Sequence, residues 1–167
     1  MRQTFSILVN NHAGVLSHVA GLFTRRGYNI ESIAAGPTEN KEVTRIIIVA
    51  FGDADELEQI ARQLRKLYDV REVNQLAYNQ SVTRELVLAS ICADVEKRGE
   101  VIQLANAFGA SVVNIADQTV TLEMSGNDHK VRSFIKALER YGITQMARTG
   151  MIALPFDGMP EDWEPLS

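Results

Sequence analysis

The sequence predicts an α+β fold built from two units of like architecture, each running strand, helix, strand, strand, helix, strand. Three observations carry this. Short segments alternate apolar and polar residues, as half-buried strands do, and longer ones repeat apolar residues at helical spacing. That order then occurs twice, on either side of a polar break at Tyr78-Asn79-Gln80-Ser81.

The first strand is read at residues 4–10, where Phe5, Ile7 and Val9 share one face. The turn Asn11-His12-Ala13-Gly14 follows, and Val15, Leu16, Val19, Leu22 and Phe23 then mark one face of a helix. Gly27 stops that helix, because a left-handed residue is unstrained there without a Cβ. A second strand runs from Ile30 to about Ala35, and a polar turn begins at Pro37. Residues 44–51 are β-rich and apolar on both faces. Asp53-Ala54-Asp55-Glu56 has the form of a capping box, opening a helix with Leu57, Ile60, Ala61 and Leu64 on its inner side. Residues 70–76 close the unit as a fourth strand.

The second unit repeats the order, with a strand at 86–93 and a helix carrying Val101, Leu104, Ala105 and Phe108. A hairpin joins 111–115 to 119–124, a helix carries Val131, Phe134, Ile135 and Leu138, and a last strand runs from Ile143 to about Leu154. The expected domains are therefore 1–78 and 82–154, each a ferredoxin-like sandwich with two helices over one face of an antiparallel sheet. Pro155, Pro160 and Pro165 punctuate an acidic end segment, 155–167, read as a flexible tail. In the third strand Ile46, Ile48 and Ala50 face one way and Ile47, Val49 and Phe51 the other. Two helices cover only one face, so the other calls for a partner: the second domain, a second copy or another protein.

Composition narrows the function. The chain of 167 residues has 17 basic and 21 acidic side chains, but Asp157, Glu161, Asp162 and Glu164 all fall in the tail. The remaining body is charge-balanced and offers no basic face for nucleic acid. No run approaches the ~18 apolar residues of a membrane span, and the amino terminus has no signal-peptide core. The single cysteine, Cys92, excludes an internal disulfide and suits a reducing compartment. A cytoplasmic protein is expected.

Chemistry is mostly missing. His12, His18 and His129 are not at metal-ligand spacing, and His12 and His18 read as surface residues. Cys92 reads as a small packed hydrophobe. No nucleophile elbow, phosphate-binding loop or dinucleotide fingerprint occurs, so catalytic and metal-binding residues are expected to be none. What remains is a binding geometry. The strand-to-helix turn at Asn11–Gly14 exposes helix amides that have no intrahelical partner and suit a carboxylate. Gly14 lets the main chain approach a ligand closely. Asn11 can accept from an ammonium while capping the helix. By spacing alone the same residues also read as an ordinary cap and turn glycine.

The segment Ser6-Ile7-Leu8-Val9-Asn10-Asn11-His12-Ala13-Gly14-Val15-Leu16, with Arg25-Arg26-Gly27-Tyr28-Asn29-Ile30-Glu31-Ser32, resembles the amino-terminal ACT domain of acetolactate synthase small subunits. The likeness continues through Pro37-Thr38 and Thr44-Arg45-Ile46. In the second half it rests on Arg84-Glu85-Leu86 and Ala147-Arg148-Thr149-Gly150. The acidic, tryptophan-containing tail departs from the family pattern.

The resemblance implies a non-catalytic regulatory subunit that activates a separate catalytic subunit and confers feedback inhibition by valine. It implies a homodimer through ACT domains, with the effector between chains. The turn of one chain supplies Asn11, Ala13, Gly14 and Val15, and the start of the second strand of its neighbour supplies Asn29 and Ile30. Thiamine diphosphate, Mg²⁺ and FAD belong, on this reading, to the catalytic subunit, and this chain carries no cofactor. The alternative is an ACT-type amino-acid-binding regulator of another metabolic enzyme.

Overall fold

Residues 1–157 are described by the computed structural model of the chain. They divide into two units, Met1–Val82 with the segment from Ala153, and Thr83–Ile152. The first contains β1 (Arg2–Asn10), α1 (Val15–Arg26), β2 (Asn29–Pro37), β3 (Val43–Phe51), α2 (Ala54–Leu64) and β4 (Val70–Leu76). Its strands form an antiparallel sheet in the order β2-β3-β1-β4. This is the ferredoxin-like sandwich expected, with β2 at an edge.

The inner face of the sheet presents Phe5, Ile7 and Val9 of β1 and Ile46, Ile48 and Ala50 of β3. Against them pack Val15, Val19, Leu22 and Phe23 of α1 and Leu57, Ile60, Ala61 and Leu64 of α2. Leu16 is a correction to the helical stripe: it remains 44% exposed. It lies one residue beyond Val15, about 100° around the helix, which turns it away from the sheet. On the other side of the sheet Ile47 and Val49 are buried as well, while Phe51 at the strand end is largely open.

Both helix boundaries read from local chemistry hold. Gly27 caps α1 with φ 68°, its N–H donating to the Phe23 and Thr24 carbonyls. At α2 the Asp53 carboxylate accepts from the Glu56 amide at 2.8 Å, and Glu56 accepts from the Asp53 amide at 2.9 Å. Asp53→Ala removes one half of that exchange, so it is expected to cost about 1 kcal/mol of stability. A lower denaturant midpoint at unchanged slope is the check.

The second unit is built from β5 (Ser81–Cys92) from Thr83 onward, α3 (Arg98–Phe108), β6 (Ser111–Ile115), β7 (Thr119–Gly126), α4 (Asp128–Glu139) and β8 (Ile143–Arg148). The strand order β6-β7-β5-β8 repeats the first unit. Val87, Ala89 and Ile91 face Val101, Ala105, Val131, Phe134 and Leu138 across the core. Leu104, Phe108 and Ile135 pack at its margin. Cys92 is exposed rather than packed. It follows buried Ile91 in an alternating strand, so the pleat turns it outward.

The last strand is not continuous. β8 stops at Arg148, Gly150 takes φ 78°, and β9 (Ile152–Pro155) pairs with β5. At the break the Thr149 amide donates to the Leu86 carbonyl at 3.1 Å, and the Leu86 amide donates to the Thr149 hydroxyl at 3.1 Å. A side chain thus replaces the next rung of the ladder. The Phe156 amide still donates to the Gln80 carbonyl. The rest of the segment expected to be a flexible tail, from 158 onward, lies outside the described residues.

Candidate functional site

The turn between β1 and α1 is tied down on two sides. The Asn11 amide donates to the Glu42 carbonyl at 2.8 Å, and its Nδ2 to the Lys41 carbonyl at 3.0 Å. Asn11 therefore fastens the turn to the connection between β2 and β3. It does not cap α1: Gly14, at φ 88° and ψ −10°, holds the N-cap position and gives no side-chain cap. The reason is distance along the chain, since Asn11 lies four residues before Val15 rather than one.

Two consequences suit a ligand. Asn11 Oδ1 accepts no hydrogen bond among the described residues and is left for a donor such as an ammonium. The amides of Gly14, Leu16 and Ser17 likewise find no acceptor among the described residues. Together with the positive end of the helix dipole they form an open anion cradle. Ala13 is exposed. The Val15 side chain belongs to the core, so only its main chain borders the turn.

Asn29 and Ile30 lie elsewhere in the same chain. Asn29 opens β2, exposed and opposite Phe51, and Ile30 pairs with Ala50 and packs at the core margin. The turn sits at the other end of β3, where Asn10 pairs with Val43. Nine residues of β3 separate the two places, about 26 Å at a strand rise of ~3.3 Å. The structure brings Asn11, Ala13, Gly14 and Val15 together and leaves Asn29 and Ile30 apart from them within one chain. The outer edge of β2 pairs with no other strand among the described residues.

A further residue belongs to the turn. Asp69, buried in the α2–β4 connection, has its Oδ1 2.5 Å from His12 Nε2 and its Oδ2 3.5 Å from His18 Nδ1. Its main-chain carbonyl accepts from the Asn10 amide at 2.9 Å. His12 and His18 are indeed surface residues, their side chains 49% and 66% exposed. Hydrogen bonds to the Ala13 carbonyl and then to Asp69 raise the His12 pKa above its ordinary value. The bond from His12 lowers that of Asp69. No sequence signal pointed to Asp69, which reaches the turn from 57 residues away.

Among the described residues no group of three or more His, Cys, Asp or Glu side chains could hold a metal ion. Among the same residues no helix is long and apolar enough to cross a membrane.

Residues 5–72 match the family model of the acetolactate synthase (AHAS) small subunit-like ACT domain, and residues 84–156 match that of the small subunit of acetolactate synthase. The chain is 43% identical over 154 residues to a probable acetolactate synthase small subunit of Archaeoglobus fulgidus, covering 92% of this chain and 96% of that one. It is 40% identical over 151 residues to the acetolactate synthase small subunit of Mycolicibacterium smegmatis, covering 90% and 89%. The crystal structure of the Thermotoga maritima small subunit superimposes with a TM-score of 0.86 at 33% identity, covering 95% of this chain and 99% of that chain. The chain belongs to the acetolactate synthase small-subunit family, and its first unit is an ACT domain, a regulatory rather than a catalytic module.

Proposed function

We propose that the chain is the regulatory partner of a cytoplasmic acetolactate synthase: it activates the catalytic subunit and, on binding valine, inhibits it. The observation that carries the valine reading is the open turn, where unpaired helix amides, Gly14 and the free Asn11 oxygen suit the carboxylate and ammonium of an amino acid. Residues 1–78 bind the effector and dimerise, and residues 82–154 form a second domain. Two chains join side by side through the open edges of β2. An antiparallel pair of β2 strands sets the start of one beside the end of the other. The partner's Asn29 and the partner's Ile30 then lie towards the turn carrying Asn11 and Gly14. Thiamine diphosphate, Mg²⁺ and FAD reside on the catalytic subunit.

The purified chain is expected to turn over no pyruvate alone. Added to its cognate catalytic subunit, it is expected to raise turnover and impose sensitivity to valine. Calorimetric titration with valine, leucine and isoleucine ranks the effectors. A complex whose turnover is the same with and without this chain, and which ignores all three amino acids, overturns the reading.

A further inference from the structure

His12 sits in the turn with both ring nitrogens against acceptors. Nδ1 is 2.9 Å from the Ala13 carbonyl oxygen, and Nε2 is 2.5 Å from Asp69 Oδ1. A carbonyl and a carboxylate only accept, so both nitrogens must donate, and only the imidazolium carries two N–H groups. Asp69 in turn touches three parts of the same corner. Its carbonyl holds the last amide of β1, its Oδ1 holds the turn, and its Oδ2 lies 3.5 Å from His18 on the first turn of α1. One buried carboxylate thus spans both ends of the segment that contains Gly14.

We propose that His12 and Asp69 are positioning residues for the effector: their ion pair holds the 10–14 turn in the shape that presents its free amides to a carboxylate, so effector binding is linked to protonation of His12. This rests on the amino-acid-binding reading above. The positive end of α1 disfavours a cation in the turn, and Asp69 supplies the charge that offsets it. A bound carboxylate adds a second negative charge near the imidazolium and holds the proton more firmly. Binding therefore takes up protons wherever free His12 is partly neutral.

Other charged side chains border this corner. His18 on α1 shares Asp69. Arg71 on β4 donates to Asn10 Oδ1 at 2.6 Å. Lys41 and Glu42, in the connection before β3, reach Asn11 through their main-chain carbonyls. Among the described residues neither of their side chains is bonded to His12. The charged pair is complete below the ordinary histidine value of 6.5 and is lost as pH rises through the higher folded value. Asp69 is lowered from 3.8 and stays ionised throughout that window.

Calorimetry of valine binding to the full chain, between about pH 6 and 8.5 in buffers of different ionisation enthalpy, tests this, since that range brackets a raised His12 value while Asp69, lowered, stays ionised across it. Wild-type affinity is expected to fall about tenfold across the range, as for a lost charge-assisted hydrogen bond, with net proton uptake. His12→Gln, which keeps a donor but does not titrate, is expected to bind with no pH slope. Asp69→Asn is expected to bind at the weaker, high-pH level throughout, and His18→Gln to keep the wild-type slope. In the wild type, valine is expected to raise the NMR titration midpoint of the His12 ring, a readout that needs no variant. Valine affinity independent of pH with no proton uptake overturns the proposal and leaves the functional reading standing. So does a slope abolished by His18→Gln and kept by His12→Gln. No valine binding at any pH overturns both.

Discussion

Gly14→Asp is expected to abolish the response to valine, weakening its binding by more than about a hundredfold. Two like charges about 4 Å apart at an effective dielectric constant of ~20 repel by about 4 kcal/mol, more than enough for that factor. Bulk contributes little within the chain, because a Cβ built on Gly14 meets no atom within 4 Å. The main chain contributes more: φ of 88° lies in the left-handed region, where a residue with a Cβ is disfavoured by roughly 1–2 kcal/mol. Gly14→Ala carries that backbone cost without the charge. Calorimetry should therefore show a partial loss for the alanine variant and no measurable binding for the aspartate variant. Both should still raise the turnover of the catalytic subunit, since the effector turn and the activating surface are separate in this reading. An aspartate variant that binds valine like the wild type would move the carboxylate away from the α1 amides.

Mixed dimers decide whether the site spans two chains. Asn11→Ala alone and Asn29→Ala alone are each expected to weaken binding by about 1–3 kcal/mol, the cost of leaving one polar partner unsatisfied. When one chain carries Asn11→Ala and its partner carries Asn29→Ala, both lesions fall in the same site and the other site is intact. Titration of this mixed dimer is expected to show half the sites at wild-type affinity. Uniformly weak binding at both sites would place Asn11 and Asn29 in one chain's site, which the nine-residue length of β3 makes hard to arrange.

Local chemistry made most of the first unit legible. The capping box at Asp53 and Glu56, the left-handed Gly27 and the apolar alternation of β1 all act between near neighbours, and β4 runs over Val70–Leu76 as its pattern suggests. The start of β5 is not legible in the sequence, for a physical reason. Its buried positions there are Ser81, Thr83 and Glu85, and a polar run does not look like a strand. Glu85 tolerates burial because Arg148 donates to both its carboxylate oxygens at 2.8 Å. The break at Gly150 was equally hidden, since it depends on Thr149 meeting Leu86 from 63 residues away. Of the expected effector residues, Asn11, Gly14 and Asn29 stand out by residue type and motif. The actual hydrogen bonds of Asn11 do not, because the carbonyls of Lys41 and Glu42 reach it only through the fold. Asp69 was invisible for the same reason.

On the proposed reading, the separation of the turn from the start of β2 ties effector binding to assembly. If each half-site sits at opposite ends of β3, an isolated chain has nothing complete to offer its effector. Ligand occupancy and self-association then become one coupled equilibrium, with each bound amino acid acting as a rivet between two copies. By mass action the ligand tightens the assembly that creates its own receptor. On the proposed reading, the supply of this polypeptide would then set the threshold for feedback together with the supply of the end product.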